Sequence, residues 1–158
     1  MNSRGSTTVA DRIFASLPYL LPLIDGLGFG RYWFQEFPPL KVLILPLVPV
    51  LQIYSLPFAG LIIFFALYFL VVRSENTSHF VRFNTMQAIL IDIVIIMCRL
   101  IVSIMEPTFQ SSTFIVETLY NTIFLGVLAS VIYSVFQSLL GRYAEIPAIS
   151  EAVNTQIR

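Results

Sequence analysis

Residues Asn84 to Met105 read NTMQAILIDIVIIMCRLIVSIM, and residues Phe114 to Phe136 read FIVETLYNTIFLGVLASVIYSVF. An α-helix crossing a hydrocarbon core of about 30 Å needs about 20 mainly apolar residues, each contributing about 1.5 Å. Both stretches meet that length, both are rich in Ile, Leu and Val, and a turn containing Glu106-Pro107 separates them. They predict an antiparallel pair of membrane spans near 84–105 and 113–138. Upstream, Leu40 to Val72 is apolar almost throughout, but its 33 residues exceed one span and are interrupted by Pro46, Pro49 and Pro57. Proline ends or kinks a helix, so this stretch predicts a helical hairpin turning near Gln52-Tyr54-Ser55, with arms near 40–53 and 56–72. The first arm reaches only about 21 Å at helical rise, so it either thins the bilayer or is re-entrant.

The composition agrees with a bilayer as solvent. Of 158 residues, 57% are hydrophobic and 11% charged, against roughly 25% charged in soluble domains. Nine Lys and Arg balance nine Asp and Glu, leaving no basic surplus for nucleic acid. His79 and Cys98 are the only residues of their kinds. A structural zinc site usually takes four Cys or His ligands, and a nucleophile needs a positioned base. The sequence therefore predicts no enzymatic activity, no metal and no cofactor. Ile13 to Gly30 (IFASLPYLLPLIDGLGFG) contains Pro18, Pro22 and Asp25. At 100° per residue, Ile13, Leu17, Leu20, Leu21 and Ile24 share one face opposite Asp11, Ala15, Pro18, Pro22 and Asp25, which predicts an amphipathic interfacial helix over 9–30. The Gly26-Leu27-Gly28-Phe29-Gly30 run reads as a turn, because no strand precedes it and no Lys-Ser/Thr follows.

The resulting fold class is all-α: a single membrane domain, 1–158, of four transmembrane helices with an N-terminal interfacial helix and a C-terminal tail, 141–158. With these spans, Arg4, Arg12, Arg31, Lys41, Arg73, Arg82, Arg142 and Arg158 fall on one side. By the positive-inside rule that side, with both termini, faces the cytoplasm or stroma. Arg99 lies within the third span.

Charges inside a span cost about 2.5 to 3.5 kcal/mol at its centre on insertion scales, so each calls for a partner or a function. Three stand out: Asp92 and Arg99 in the third span and Glu117 in the fourth. The depths of Arg99 and Glu117 nearly match, which predicts an ion pair between them; Asp92 has no evident basic partner. In the fourth span Thr118, Thr122, Gly126, Ser130, Ser134 and Ser138 recur at every fourth position. Such a row lets helix backbones approach closely. It predicts a packing interface with a helix of this chain, a second copy or another protein, with a polar pore lining as the alternative.

Four stretches together are recognisable: SLPYLLPLIDGLGFGRY (Ser16 to Tyr32), LYFLVVR (Leu67 to Arg73), HFVRFNTMQAILIDI (His79 to Ile93) and GRYAEIPAISEAVNTQI (Gly141 to Ile157). Their order resembles the Tic-twenty family, the four-span proteins of the translocon at the inner envelope of chloroplasts, with relatives in cyanobacteria and some plastid genomes. The most specific piece is VRFNTMQAIL, Val81 to Leu90, which carries Arg82, Phe83, Asn84, Met86 and Gln87. The resemblance implies a channel-forming or channel-associated subunit whose partners are the lipid bilayer, other translocon membrane proteins, translocating polypeptides and, in some arrangements, further copies of itself. The short polar start, about twelve residues, favours a cyanobacterial or plastid-encoded member over a nuclear-encoded one with a transit region. The alternative is a small-solute or ion transporter or channel, motivated by Asp92, Arg99 and the proline-broken spans.

Overall fold

A computed structural model describes residues 6–109 and 112–157, and all regular structure among them is helical. We number the helices α1 (Val9–Glu36), α2 (Pro38–Tyr54), α3 (Ala59–Val72), α4 (His79–Met105), α5 (Thr113–Leu139) and α6 (Ile149–Gln156). Helices α1, α4 and α5 are each long and apolar enough to cross a membrane, at 28, 27 and 27 residues, or about 40 Å of helical rise.

The N-terminal segment is where the structure departs from the sequence reading. Rather than lying flat as an interfacial helix, α1 runs lengthwise beside α4. Asp11 meets Ser78 at one end, Tyr19 meets Asn84 near the middle, and Arg31 meets Glu106 at the other end. Pro18 sits in the first turn of a short 3-10 stretch, Leu17–Tyr19, where its missing N–H costs little. Both faces of α1 supply buried residues: Ala15, Pro18 and Pro22 from the face judged polar, and Leu21 and Ile24 from the face judged apolar, while Ile13 and Leu17 are about half exposed at 49% and 51%. Small residues such as Ala15 and Gly26 let helices meet closely, and in a solvent as apolar as Leu the outward Ile13 and Leu17 carry no penalty. Thr8 and Asp11 form a capping box at the start of α1, satisfying two of its orphan donors reciprocally.

Between α1 and α4 the chain must travel from the Arg31 end of the bundle back to the Ser78 end. Helices α2 and α3 make that passage as a pair bent by 96°. The break at residues 55–58 falls where the sequence expectation placed a turn, and its angle, near 96°, is that of a broken span or a re-entrant loop. Phe58 takes a left-handed conformation at the break, φ 61°. Helices α1, α4 and α5 with the bent pair counted as one span make up to four crossings, and Gly141, just past α5, lies against Thr7 and Arg12 near the start of α1. Arg31 is displaced from the side assigned to it, since it lies at the Glu106 end.

The core of the three-helix bundle holds Tyr19, Phe29, Ala88, Ile95, Phe124 and Val127. At Gly26 a Cβ would come within 2.5 Å of Val127 Cγ1, so glycine sets the close approach of α1 and α5. Helix α5 ends at Gly141, whose φ of +73° suits glycine. The tail then folds back, and α6 buries Val153 against Leu21, Phe83, Met86 and Ile89.

Candidate functional site

Two polar assemblies lie inside this apolar bundle. The first is built on Asn84 and Gln87, three residues apart and therefore on one face of α4. Both are fully buried, as are Tyr19, Ser134 and Ser138. Tyr19 donates its hydroxyl to Asn84 Oδ1 at 2.9 Å, and Ser138 donates to the same oxygen at 2.8 Å. Asn84 Nδ2 donates to the Phe80 carbonyl at 2.9 Å. The Gln87 amide nitrogen faces Tyr19 Oη at 3.1 Å, the Ala144 carbonyl at 2.9 Å and Ser134 Oγ at 3.4 Å. Its Oε1 accepts from Ser150 Oγ at 2.8 Å, and Ser150 in turn accepts from the Ile146 N–H at 2.7 Å. Two carboxamides thus tie α1, α4, α5 and the tail into one register. A carboxamide carries both donor and acceptor without charge, which is what a dry, four-way junction needs.

The other motif residues turn inward as well. Arg82 Nε donates to the Val72 carbonyl at 2.7 Å, fixing the end of α3. Phe83 packs edge-on against Tyr143 with ring centroids 4.9 Å apart. Met86 joins the cluster under Val153 and Ile157. His79 Nδ1 lies 3.0 Å from Tyr143 Oη, and Cys98 packs half-buried against the core.

The second assembly is ionic. Arg99 donates to the Asp25 carbonyl at 2.7 Å, and its Nη2 lies 3.6 Å from Asp25 Oδ1. Asp92 is 2% exposed, and its Oδ1 has no hydrogen-bond partner. All three residues line a cavity of about 370 Å³ that Gly60 and Phe64 of α3 close from the other side. The expected Arg99 to Glu117 ion pair is not the one that forms: Arg99 reaches Asp25, because α1 lies in the bundle and carries Asp25 to this depth. Glu117 is partly buried on α5 with no ion pair among the described residues. A separate cluster closes the far end, where Arg31 meets Glu106 at 3.0 Å and sits 4.1 Å above the Tyr120 ring.

The row on α5 divides. Ser134 and Ser138 are buried in the polar junction, while Thr118, Thr122 and Gly126 are exposed and Ser130 is half-buried. Four residues advance a helix by about 400°, so a row at that spacing drifts about 40° per step and cannot hold one face. Thr118 and Ser130 spend their hydroxyls on their own helix, bonding the Phe114 and Gly126 carbonyls.

The residues that sequence reasoning overlooked are Tyr19, Asp25, Arg31, Glu106 and Ser150. Asp25 had a signal, a lone carboxylate in an apolar run, and the interfacial assignment of that run concealed it. Among the described residues no three His, Cys, Asp or Glu side chains gather as a metal site would need.

Comparison with known proteins bears directly on this architecture. The model of the family described as chloroplast import apparatus Tic20-like matches residues 9–153, from the first turn of α1 into α6. A Tic20 family protein of Synechocystis sp. is 48% identical over 160 residues, covering 100% of this chain and 99% of that protein. The Arabidopsis thaliana protein TIC 20-v, chloroplastic, is 37% identical, with 99% of this chain and 77% of that protein aligned. The Tic20 family protein Ycf60 of Porphyra purpurea is also 37% identical, over 98% of this chain and 79% of that protein. The matched range takes in α1, the Asn84 and Gln87 junction and the start of the folded-back tail, so the bundle is matched as a unit and the chain belongs to the Tic20 family.

Proposed function

We propose that this chain is a non-enzymatic, multi-pass subunit of a protein-translocating membrane complex, acting as a channel-associated component. The observation that carries the reading is the match of residues 9–153 to a family described as chloroplast import apparatus. The interior supports it: the buried polar groups of the junction are occupied in holding helices together, and the cavities are lined mainly by apolar side chains. A passage for hydrated polypeptide then lies between this chain and its partners, which are other membrane proteins of the complex or further copies of itself. Both termini face the cytoplasm or, in a plastid inner envelope, the stroma, in keeping with Arg12 beside Gly141 and Arg82 on the Val72 carbonyl at that end, where Arg73 and Arg142 follow in the chain.

The test is purification of the tagged, full-length chain from native membranes in mild detergent, with sizing and mass spectrometry of what accompanies it. Reproducible recovery with protein-handling membrane components, and crosslinking to translocating chains, are the expected results. A solitary species with neither overturns the proposal. A second reading, transport of a small solute or ion, draws on the Asp25, Asp92 and Arg99 cavity. In that case Asp92→Asn changes flux through reconstituted vesicles, whereas the translocon reading leaves such flux absent or unchanged.

A further inference from the structure

A cavity of about 570 Å³ lies between α1, the bent pair and the start of α4, within the roughly 300–1,000 Å³ common for ligand sites. Its walls are Leu17, Leu20 and Leu21 of α1 with Tyr54, Ile63 and Leu67 of the bent pair. Its rim is of different chemistry: Asp11, Asn76, Thr77 and Ser78 stand together at the end of the bundle where the termini meet. Apolar walls under a polar rim, beside a bilayer, match an amphipathic molecule aligned with the membrane normal. We propose that this cavity holds one acyl chain of a diacyl lipid whose headgroup is uncharged and rich in hydroxyls.

Three observations narrow the occupant to that class. First, the walls are helices, whose backbone N–H and C=O groups are already bonded. An extended peptide entering here would leave its own amides unsatisfied in an apolar space, while an acyl chain brings none. Second, Thr85 lines the cavity, is fully buried, and its Oγ1 has no hydrogen-bond partner. It lies seven residues below Ser78 on the same helix, about 10 Å deeper, the depth at which the glycerol ester oxygens of a rim-anchored lipid would accept its proton. Third, among the described residues the only charge in the lining is the Asp11 carboxylate, which accepts from Ser78 Oγ at 2.9 Å. Arg12 is directed to Thr7 at 3.4 Å and Arg82 to the Val72 carbonyl at 2.7 Å. A phosphate at this rim would meet the Asp11 carboxylate, and among the described residues no Lys or Arg lines the cavity, whereas sugar or glycerol hydroxyls can both donate to Asp11 and accept from Asn76 and Thr77.

Native mass spectrometry of the delipidated full chain tests this, with dioleoylglycerol monohexoside and dioleoyl phosphatidylglycerol as probes, singly and in competition. The expected result is one hexoside lipid per chain, bound about tenfold or more tighter than the phosphatidylglycerol, a difference of roughly 1.4 kcal/mol. Leu67→Trp fills the cavity and abolishes the adduct while helicity is kept. Should that variant fail to fold, Leu17→Trp serves, since Leu17 is about half exposed. Thr85→Val keeps the shape, removes the hydroxyl and weakens the adduct several-fold without lowering the melting temperature of the lipid-free chain. The proposal is overturned by absence of a stoichiometric adduct, by equal or tighter binding of phosphatidylglycerol, or by an adduct that survives in a folded cavity-filling variant. These readouts concern lipid alone and are independent of any translocation activity.

Discussion

The two polar assemblies on α4 answer the same problem differently. Around Asn84 and Gln87, neutral amides and hydroxyls bond one another and the Phe80 and Ala144 carbonyls. Two turns further on, Asp25 takes the Arg99 guanidinium, while Asp92 lines the same cavity and keeps a buried oxygen without a partner. In an apolar medium a satisfied network stabilises and specifies, while an uncompensated charge costs several kcal/mol. The junction is therefore the structural clamp, and the ionic cluster carries polarity that packing alone does not explain.

The largest expected effect comes from breaking the clamp. Gln87→Leu removes a partner from Tyr19, Ser150 and the Ala144 carbonyl at once. Leaving buried polar groups unsatisfied costs about 1–3 kcal/mol each, so a loss of roughly 3 kcal/mol follows. Unfolding in mixed micelles would measure it, and hydrogen exchange would show residues 144–157 opening first. A loss below about 0.5 kcal/mol would reduce the junction to ordinary packing.

Next is the contact beneath the clamp. Gly26→Val places a branched side chain where even a Cβ is 2.5 Å from Val127 Cγ1, and overpacking of this kind costs about 1–3 kcal/mol. The double variant Gly26→Val with Val127→Ala should recover much of the loss, because the two sites share one space. Additive effects in that cycle would show that α1 and α5 are not held at this distance.

The sharpest test of the comparison is Asp92→Asn. Gln87→Leu destabilises by unpairing neighbours, whereas Asp92→Asn replaces a buried carboxyl that has an unpartnered oxygen with an amide of the same shape. We expect the melting temperature to stay constant or rise, by up to about 2 kcal/mol in stability. A loss as large as that of Gln87→Leu would place Asp92 in the structural class and end the contrast. Arg99→Leu should act in the opposite sense, since it leaves Asp25 and Asp92 together without a cation.

The legibility of these regions in the sequence follows the physics of the solvent. Helices α4 and α5 were readable because length and hydropathy suffice to identify a span. The bend at residues 55–58 was readable because proline and the change in composition punctuate a helix. Helix α1 was read as interfacial because its prolines and Asp25 suggested one polar face, whereas in the bundle it buries residues from both faces, Ala15, Pro18 and Pro22 as well as Leu21 and Ile24. From the placement of α1 follow the differences at Asp25, Arg31 and Arg99: once α1 is in the bundle, Asp25 reaches Arg99, and Glu117 has no part in the pair. The importance of Asn84 and Gln87 came from resemblance, and their role became visible only with Tyr19 and Ser150, which lie 68 and 63 residues from Gln87. No local periodicity encodes a junction of that separation.

The smallest effect belongs to the far end of the bundle, where the comparison has an exposed control. Arg31 and Glu106 form an ion pair at 3.0 Å with side chains 41% and 36% exposed. Exposed pairs contribute about 0–1 kcal/mol and weaken with salt, though the guanidinium also covers the Tyr120 ring. Glu106→Gln keeps the shape and leaves the stacking on Tyr120 in place, so we expect a loss of at most about 0.5 kcal/mol, vanishing at high salt. Arg31→Leu also removes the cation above the ring, adding about 0.5–1 kcal/mol that salt does not screen away. If both variants instead match Gln87→Leu, the Arg31 end is a second clamp, and the bundle is pinned at both ends of α1 instead of by the buried carboxamides alone.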